Sequence, residues 1–395
     1  MAEALDIAPP ADQDDLSRFG VIASGSLGFP RERWPFVTAR VGAGNFRLVR
    51  QGTEIVGGLG VLPMGHWFGG RTARSWGINL VAIAPEHRSR GIAAELMRTV
   101  LEEASREHVA LSCLYPATFP LYRAAGYETA GTRITYRLAL APLRGGAAER
   151  EMRAAQGEGD VAAMHGLYDA RARGLSGAID RTAYFWDRVL DPIGDEARAY
   201  VVQGENGAEG YVAMSQRPAS APLQPMEIVV RDVVAHTAAA GRRILRFLAD
   251  HRSTVRSATI VSGPGDALFM LAREEKNEVA DLLRWMLRVV DVRAALEERG
   301  WSPLVRGELH LDVRDALLRE NARRWVVEVA DGRVDVREGG TGALAIDVRG
   351  LSALYSGFLS AEELRVAGLC DGPSAELARA SALFAGPAPW MADFF

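Results

Sequence analysis

The sequence predicts an α/β (α+β) protein with more than one domain. Its 395 residues exceed what one hydrophobic core comfortably holds, and 48% hydrophobic with 24% charged residues is ordinary globular composition. A strand pair, a strand, a helix and a strand follow one another early in the chain, and the same order recurs more weakly in the middle. A strand-rich segment follows. We therefore expect three segments, the second a degenerate duplicate of the first.

The first segment, to about residue 145, contains the clearest patterns. Alternating and helical periodicities predict strands at 46–49, 55–61 and 74–84, a helix at 92–105, a strand at 109–114, a short helix at 120–125 and a strand at 132–140. Gln51-Gly52 marks a turn, and Gly126 ends the short helix. The order strand, helix, strand implies a crossover connection between parallel strands.

The other two segments are separated from the first by an Ala-, Gly- and charge-rich stretch at 141–160, which we interpret as a linker. The middle segment is expected to contain strands at 200–203, 210–215, 226–234 and 258–261 and a helix at 238–251. The last segment, from Trp301, is expected to contain strands at 308–313, 325–329, 333–337 and 343–348 and helices at 352–359 and 376–384. Asp331-Gly332 is a strong hairpin signal.

Composition excludes several classes of protein. A net charge of −4 without a block of like charge argues against nucleic-acid binding. Two cysteines cannot form a disulfide framework or a cysteine zinc site, and they suit a reducing compartment. No apolar run is long enough for a membrane helix, and residues 1–20 lack the apolar block of a signal peptide. We expect a cytoplasmic protein, with secretion by an unrecognised signal as the alternative, and neither a nucleic-acid nor a membrane partner.

One stretch carries a chemical signal: residues 81–94, VAIAPEHRSRGIAA. An apolar strand ends at Pro85, a basic turn containing Gly91 follows, and a long helix starts at once. The unpaired N–H groups and the dipole at a helix start form a site for an anion such as a pyrophosphate. Arg88 and Arg90 add positive charge, and Gly91 lets the backbone approach a ligand closely. The plainer interpretation is a surface loop with two solvated arginines.

A second motif further along the chain favours the anion site. Arg88-x-x-Gly91-x-Ala93, after an apolar strand, matches the Arg/Gln-x-x-Gly-x-Gly/Ala turn of the GNAT acetyltransferase superfamily. The run LYRAAGY at 121–127 matches the later Tyr-x-x-x-Gly-Tyr/Phe segment of the same superfamily. Either match alone is weak, but the two in this order are strong. The chain thus resembles GNAT N-acetyltransferases.

Over its full length the chain is similar to the Eis (enhanced intracellular survival) acetyltransferases. That resemblance implies tandem GNAT folds followed by a sterol-carrier-protein-like α+β domain. The expected domains are a catalytic GNAT domain at 1–145, a degenerate GNAT-like domain at 146–298 and the sterol-carrier-like domain at 299–395, whose C-terminus returns to the active site. It also implies acetyl-CoA as co-substrate, a primary amine as acceptor, and a homo-oligomer, which in this family is a hexamer.

Three stretches match the residues that bind the co-substrate in these enzymes. The pantetheine pairs with a splayed strand, and the pyrophosphate lies on the turn and helix start. The matching positions are Val81, Ala82 and Ile83 for the strand, and Arg88, Ser89, Arg90, Gly91, Ile92, Ala93 and Ala94 for the turn. Ala117 and Thr118 match a second cofactor contact, at which Eis-like enzymes usually have polar residues.

Tyr122 matches the general acid of the family. The attack of an amine on a thioester expels a thiolate, which must be protonated. A phenol, with a pKa of about 10, can protonate a thiolate whose thiol has a pKa of about 8.5 only if the site assists. The alternative is a buried aromatic residue at helical spacing from Ala125. We interpret Tyr127 as a packing residue and Cys113 as a small core residue.

The general base is less evident from the residues. Glu86, His87 and Glu128 are candidates without a telling spacing. In Eis-like proteins the α-carboxylate of the last residue is the base, which implies Phe395 here. An exposed α-carboxylate, with a pKa of about 3.5, is a feeble base, and burial among the aromatic residues of 390–395 would raise its pKa. An aromatic tail that merely docks is the alternative.

The acceptor is implied by resemblance alone: amines of aminoglycosides, polyamines or lysine side chains. Such acceptors favour an acidic pocket, yet segment 24–33 offers only Glu32, and Asp393 is the other candidate. Trp34 and Phe36 would either line the pocket or belong to the core. The seven histidines show no metal-ligand spacing, and we expect no metal.

Two other functions stay open. A carrier of an apolar ligand with a vestigial GNAT fold would use the last domain. An acyltransferase for longer acyl-CoA molecules would share the chemistry but not the acyl range.

Overall fold

The computed structural model describes residues 5–143, 150–218, 226–272, 274 and 277–395. The chain forms two compact units. The first contains Met1–Gly131, Arg284–Pro389 and Phe394–Phe395, and the second contains Thr132–Leu283 and Trp390–Asp393. The first and third segments of the sequence therefore share a unit.

The first part of the chain has an antiparallel start and a parallel crossover. Its elements are β1 (Leu5–Ala8), α1 (Gln13–Leu27), α2 (Trp34–Val41), β2 (Phe46–Gln51), β3 (Glu54–Phe68), β4 (Arg71–Ile83), α3 (Ile92–Arg106), β5 (Leu111–Leu114), α4 (Phe119–Ala124) and β6 (Glu128–Ala139). Strands β1 to β5 are neighbours in that order, and only β4 and β5 pair in parallel. The expected crossover is confirmed, with α3 as its helix.

Helix α3 covers one face of this sheet. Its apolar stripe, at helical spacing, is buried in one core cluster with residues of β3 and β4. The buried positions of the stripe are Ile92, Leu96, Met97, Val100, Leu101 and Ala104. Helix α1 packs on β3 and β4 as well, where the ring of Phe19 lies against Gly58. Neither α1 nor α2 was predicted from the sequence.

The second unit repeats the strand order. Its elements are β7 (Glu151–Ala154), α5 (Gly157–Ala172), β8 (Ile179–Asp180), α6 (Ala183–Leu190), β9 (Ala197–Gly204), β10 (Gly207–Arg217), β11 (Met226–Ala235), α7 (Ala238–Asp250), β12 (Val255–Ser262) and the first half of β13 (Asn277–Val289). Strands β11 and β12 pair in parallel around α7, as β4 and β5 do around α3. Residues 151–160 contain β7 and the start of α5 instead of a linker, and residues 144–149 lie outside the described residues.

The end of the chain completes the first unit. Its elements are α8 (Val292–Glu298), β14 (Gly307–Arg314), β15 (Arg324–Ala330), β16 (Arg333–Glu338), β17 (Leu344–Asp347), α9 (Val348–Ser356), α10 (Ala361–Val366), β18 (Cys370–Asp371) and α11 (Ser374–Phe384). Five strands form a sheet in the order β16-β15-β14-β17-β18. The Asp331-Gly332 hairpin is confirmed between β15 and β16. None of the helices in the described part of the chain is long and apolar enough to span a membrane.

Candidate active site

Strands β4 and β5 separate to form a fork. They pair in parallel over 75–78 and 111–114, after which β5 ends and β4 continues to Ile83 beside β3. Leu80 has a φ of 54°, and the register with β3 shifts at this point. A left-handed backbone at a non-glycine residue marks a strained bulge. Val81, Ala82 and Ile83 therefore lie on the arm of β4 that β5 leaves.

The predicted anion turn follows this arm. Arg88, Ser89 and Arg90 are exposed residues of the turn, and Gly91, with a φ of 80°, directly precedes α3. A Cβ at residue 91 would have open space around it, so the left-handed φ is what requires glycine. No side chain caps the helix start, where Ile92, Ala93 and Ala94 form the first turn. Their unpaired N–H groups are the anion-binding feature that the sequence predicts.

Both arginines of the turn fold back onto neighbouring groups. The Arg88 guanidinium donates to the Ile83 carbonyl at 3.1 Å and to the Ser26 hydroxyl at 3.0 Å. Arg90 donates to the Glu86 carbonyl at 2.8 Å. These hydrogen bonds fix the shape of the turn while leaving its two positive charges at the surface.

Tyr122 lies on α4, and this helix begins directly after the exposed residues Ala117 and Thr118. Its side chain is buried with the α3 core, and its ring meets that of Tyr127 edge-on at 6.2 Å. Burial raises the pKa of Tyr122 to about 12. The phenol is therefore protonated at neutral pH, as a general acid must be.

Tyr127 differs from Tyr122 in its hydrogen bonds. Its hydroxyl lies 2.7 Å from the Ser112 hydroxyl, which donates to the Trp76 carbonyl at 3.0 Å. Burial holds the pKa of Tyr127 well above its usual range. This residue packs as expected, and its hydroxyl is part of a buried structural bond.

The last two residues of the chain lie at the base of the fork. The ring of Phe395 rests on Gly77 of β4, where a Cβ would be 2.9 Å from Cε2 of Phe395. Tyr115, directly after β5, meets the ring of Phe394 at 4.7 Å and that of Phe395 at 5.7 Å. Phe395 is 9% exposed and Phe394 43% exposed. Gly77 and Tyr115 were not singled out from sequence, because nothing local shows what approaches them.

Asp393, a candidate for an acidic pocket, has another role. In the second unit its carboxylate accepts from Nε of Arg181 at 3.0 Å, and Arg181 also pairs with Asp232. All three side chains are buried. Asp393 is thus buried and held by Arg181, which gives it a structural role in place of the expected one in an acidic acceptor pocket.

Glu128 and Glu86, the carboxylates considered as alternative general bases, lie in different surroundings. Burial favours the protonated form of Glu128, but hydrogen bonds from Arg123, the Thr129 N–H and Arg349 outweigh it and lower its pKa. Glu128 is therefore a structural ion-pair partner and a poor base. Glu86 is exposed.

Two further candidate groups carry no assigned chemistry. In the part of the chain that the structure describes, Glu54, Glu86 and His87 bring three possible ligand atoms within 4.8 Å of one another. Two of these are exposed carboxylates, and we assign them no ion. Cys113 is fully buried and its pKa is raised by burial, as expected of a core residue.

In the segment expected to line an acceptor pocket, 24–33, the buried residue is Ser24, and the large aromatic residues Trp34 and Phe36 follow it. Trp34 is a core residue, 7% exposed, and packs with Phe19, Phe29 and Phe46. Phe36 is exposed, as is Glu32. Trp34 therefore belongs to the core, whereas the side chain of Phe36 faces outward.

Comparison with known proteins follows the same division of the chain. Two family models described as "Acetyltransferase (GNAT) domain" match residues 11–130 and 177–289, and one described as "Sterol carrier protein domain" matches 292–392. The chain thus consists of two GNAT domains followed by a sterol-carrier-type domain. An uncharacterized N-acetyltransferase of Streptomyces coelicolor is 29% identical over 346 residues, which are 83% of this chain and 82% of the relative.

Solved structures match nearly the whole chain. The crystal structure of Eis1 from Mycobacterium abscessus has a TM-score of 0.81 and 22% identity, covers 99% of this chain and 100% of its own, and shows a shared fold. A GCN5-related N-acetyltransferase from Anabaena variabilis has a TM-score of 0.94 and 32% identity, again over 99% and 100% of the two chains. This protein therefore belongs to the GCN5-related (GNAT) N-acetyltransferases, in the Eis-like arrangement of its fold.

Proposed function

We propose that this enzyme moves the acetyl group of acetyl-CoA to a primary amine by direct attack on the thioester, with Tyr122 as general acid and the Phe395 α-carboxylate as general base. One observation supports this proposal above all others. The last residue of the chain rests on Gly77, directly before the fork of β4 and β5, and beside Tyr115, directly after β5.

The fork and the turn suit acetyl-CoA in separate ways. The backbone of Val81, Ala82 and Ile83 provides a strand edge that pairs with the amides of pantetheine. The turn from Arg88 to Gly91 and the start of α3, through Ala94, receive the pyrophosphate on backbone N–H groups. Ala117 and Thr118 precede α4 at the surface and form the second contact.

The acid step follows from the burial of Tyr122. The amine nitrogen attacks the carbonyl carbon, the C–S bond breaks, and its electron pair leaves on sulfur. Tyr122 O–H gives its proton to that sulfur, and the surplus proton of the new amide nitrogen returns to the Tyr122 phenolate. Burial disfavours the phenolate and the thiolate alike, so the raised pKa of Tyr122 does not by itself oppose the proton transfer.

The base step uses the chain terminus. An ammonium group cannot attack, because its nitrogen has no free electron pair until a proton leaves. The α-carboxylate of Phe395 accepts that proton. Packing of its ring against Gly77 and Tyr115 restricts where the carboxylate lies, and such restriction is what positions a catalytic base.

Thiol release from acetyl-CoA tests this proposal. The native chain runs beside a chain with one alanine added after Phe395, with an aminoglycoside, a diamine and a lysine derivative as acceptors. We expect the native chain to turn over and the extended chain to lose activity while keeping its melting temperature, because the carboxylate is displaced by one residue.

A chain with one alanine inserted after Met1 is the matched control and should keep full activity. Equal turnover of the native and C-terminally extended chains contradicts the role of Phe395. Absence of turnover with every amine, together with binding of acetyl-CoA, favours the carrier function instead. Thiol release by the native chain from acyl-CoA molecules of increasing acyl length distinguishes an acetyltransferase from an acyltransferase for longer chains.

The family resemblance supports three broader proposals. We propose domain bounds of 1–145, 146–298 and 299–395, a homohexamer and a cytoplasmic location. Sedimentation equilibrium of the full chain tests the hexamer, since a stable mass of one or two chains contradicts it. The acceptor classes implied by resemblance are aminoglycosides, polyamines and lysine side chains.

A further inference from the structure

One face of the β3–β4 pair carries a row of residues in which polar side chains lie among apolar ones such as Leu62 and Met64. Ser75, Gly77 and Asn79 alternate along β4 and share a face, and the pairing with β3 puts His66 on that same face. The opposite face is the one that α3 covers. Because the Phe395 ring rests on Gly77, the chain terminus lies within this row.

Helix α1, which covers this strand pair, adds a further buried polar group, the hydroxyl of Ser24. It packs on β3 and β4, and Ser24 is one of its buried residues. The inward residues of α1 near it are apolar or glycine, namely Leu16, Phe19, Gly20 and Ala23. Ser24 therefore stands out as a polar side chain on the covering helix, as Asn79 does on the strand.

These groups are buried without hydrogen-bond partners. Asn79 is 7% exposed, Ser24 6%, Ser75 1% and His66 0%. Asn79 Oδ1, the hydroxyls of Ser24 and Ser75, and both ring nitrogens of His66 lack a partner among the described residues. Burying a polar group without a hydrogen bond is costly, and native proteins rarely do so unless something else satisfies the group. Asn79 and Ser75 share one face of β4, and Ser24 is buried on the helix that packs on this strand, so a polar ligand bound between them would satisfy these groups.

The polar side chains at this place are uncharged, in contrast to the Phe395 carboxylate beside them. Asn79, Ser24 and Ser75 have no charge, and burial lowers the pKa of His66 to about 3, so its imidazole is uncharged at neutral pH. The position of Asn79 adds a geometric reason. Its Oδ1 occupies the space of a side chain at Gly60, where a Cβ would lie 2.2 Å away, so the glycine makes room for the amide.

We propose that Asn79, Ser24 and Ser75 form the acceptor-binding site, and that it selects a small acceptor with a single amino group and several hydroxyl groups over a polycation. This inference rests on the proposed function and narrows its acceptor. Asn79 Oδ1 accepts a hydrogen bond from the amine N–H. The two serine hydroxyls both donate and accept, which suits hydroxyl groups. The Phe395 carboxylate takes the proton of the one amine.

A second ammonium group would find no charge partner in this row. Burying an unpaired cation costs far more than burying a hydroxyl that is hydrogen-bonded. The site that holds a polycation needs further carboxylates, and the acidic candidates Glu32 and Asp393 are respectively exposed and paired with Arg181.

Substrate selectivity of the full native chain tests the inference first. The acceptors are an amino sugar with one amino group, 1-aminohexane, 1,6-diaminohexane and a tetraamino aminoglycoside, each with acetyl-CoA. We expect kcat/KM for the amino sugar to exceed that for the diamine and the aminoglycoside by about tenfold or more. The amino sugar gains a hydrogen bond at the site, whereas each polycation brings in an unpaired charge. An equal or higher kcat/KM for either polycation overturns the inference.

Two variants locate the selectivity at Asn79. Asn79→Asp adds a carboxylate, so the ratio of diamine to amino-sugar kcat/KM should rise about tenfold. Asn79→Ala, which is safer for folding, should lower the amino-sugar kcat/KM about tenfold and leave the KM of acetyl-CoA unchanged. Gln13→Glu makes the same amide-to-carboxylate change at the exposed start of α1 and is the control. It should change neither the ratio of diamine to amino-sugar kcat/KM nor the amino-sugar kcat/KM itself.

The results separate this inference from the proposed function. Unchanged selectivity in both Asn79 variants, with the C-terminally extended chain still inactive, overturns the acceptor site alone. Turnover that survives the extension overturns the role of Phe395, whatever the selectivity. An Asn79→Ala enzyme that loses activity equally with all four amines indicates a structural residue and overturns the assignment.

Discussion

At the scale of single residues, we expect two tyrosines five positions apart to have separate tasks. Tyr122 and Tyr127 are both buried and their rings meet edge-on. Only Tyr127 has its hydroxyl hydrogen-bonded to Ser112. The pair therefore offers a test in which the same atom is removed from two neighbouring rings of the same core.

The first prediction concerns these two hydroxyls. Tyr122→Phe should lower kcat about 100-fold, the usual contribution of a general acid, without raising the KM of acetyl-CoA. Because the pKa of Tyr122 is raised to about 12, the phenol stays protonated up to pH about 10. Deprotonation of Tyr122 should therefore not lower kcat between neutral pH and that pH. Steady-state kinetics over pH check both statements.

Tyr127→Phe is the matched control. It should keep kcat within a few-fold and lower the free energy of unfolding by about 1 kcal/mol, since one buried hydrogen bond is lost. Comparable kcat losses in the two variants would show that core packing, and not proton transfer, explains the effect of Tyr122.

At the scale of elements, α4 is held at its C-terminal end by the last part of the chain. Arg288 donates to the Ala125 carbonyl at 3.1 Å and pairs with both carboxylate oxygens of Asp315, at 2.8 and 2.7 Å. Both side chains are at most 1% exposed. Gly126, with a φ of 89°, leaves room for the guanidinium, which would be 2.7 Å from a Cβ. Arg288, at the end of the second GNAT match, thereby supports the helix that bears Tyr122, and Asp315 of the sterol-carrier-type domain supplies its counter-charge.

The second prediction concerns this buried ion pair. Asp315→Ala leaves Arg288 buried without a counter-charge, and it also removes the acceptor for the N–H groups of Leu317 and Leu318. The free energy of unfolding should fall by about 3–5 kcal/mol. Urea denaturation measures it.

Removal of an exposed ion-pair partner gives the comparison. Glu196→Ala breaks the ion pair between Glu196, 78% exposed, and Arg198, 70% exposed. The free energy of unfolding should stay close to that of the native chain. A loss of similar size in both variants would contradict the special role of the buried pair.

At the scale of the whole molecule, the sequence predicted the architecture better than the site. The two strand-helix-strand repeats and the final hairpin rest on periodicity and turn chemistry, which are local, and they are confirmed. Helix α1 was missed because Gly20 and Gly25 weaken its helical pattern. Strand β3 extends to Phe68, beyond the predicted end, through glycines and Pro63 that suggest turns.

The site depends on contacts between distant residues, which explains what the sequence could not reveal. Arg88, Gly91 and Tyr122 belong to motifs, so the sequence alone marks them as candidates. Gly77 is notable only because Phe395 reaches it, and Asn79 only because its amide is buried without a partner. Asp393 looked available as an acid until folding paired it with Arg181.

The central claim is that the terminal carboxylate removes the proton of the amine, and replacement of that group alone tests it most directly. A chain ending in Phe395 carboxamide, made by ligation of a synthetic C-terminal peptide, keeps every side chain and removes one charge. The control is the same ligated chain with a free carboxylate. We expect the carboxamide to lower kcat about 100-fold, the scale of general-base catalysis, with the KM of acetyl-CoA unchanged. Equal kcat for the carboxamide and carboxylate chains would contradict the claim.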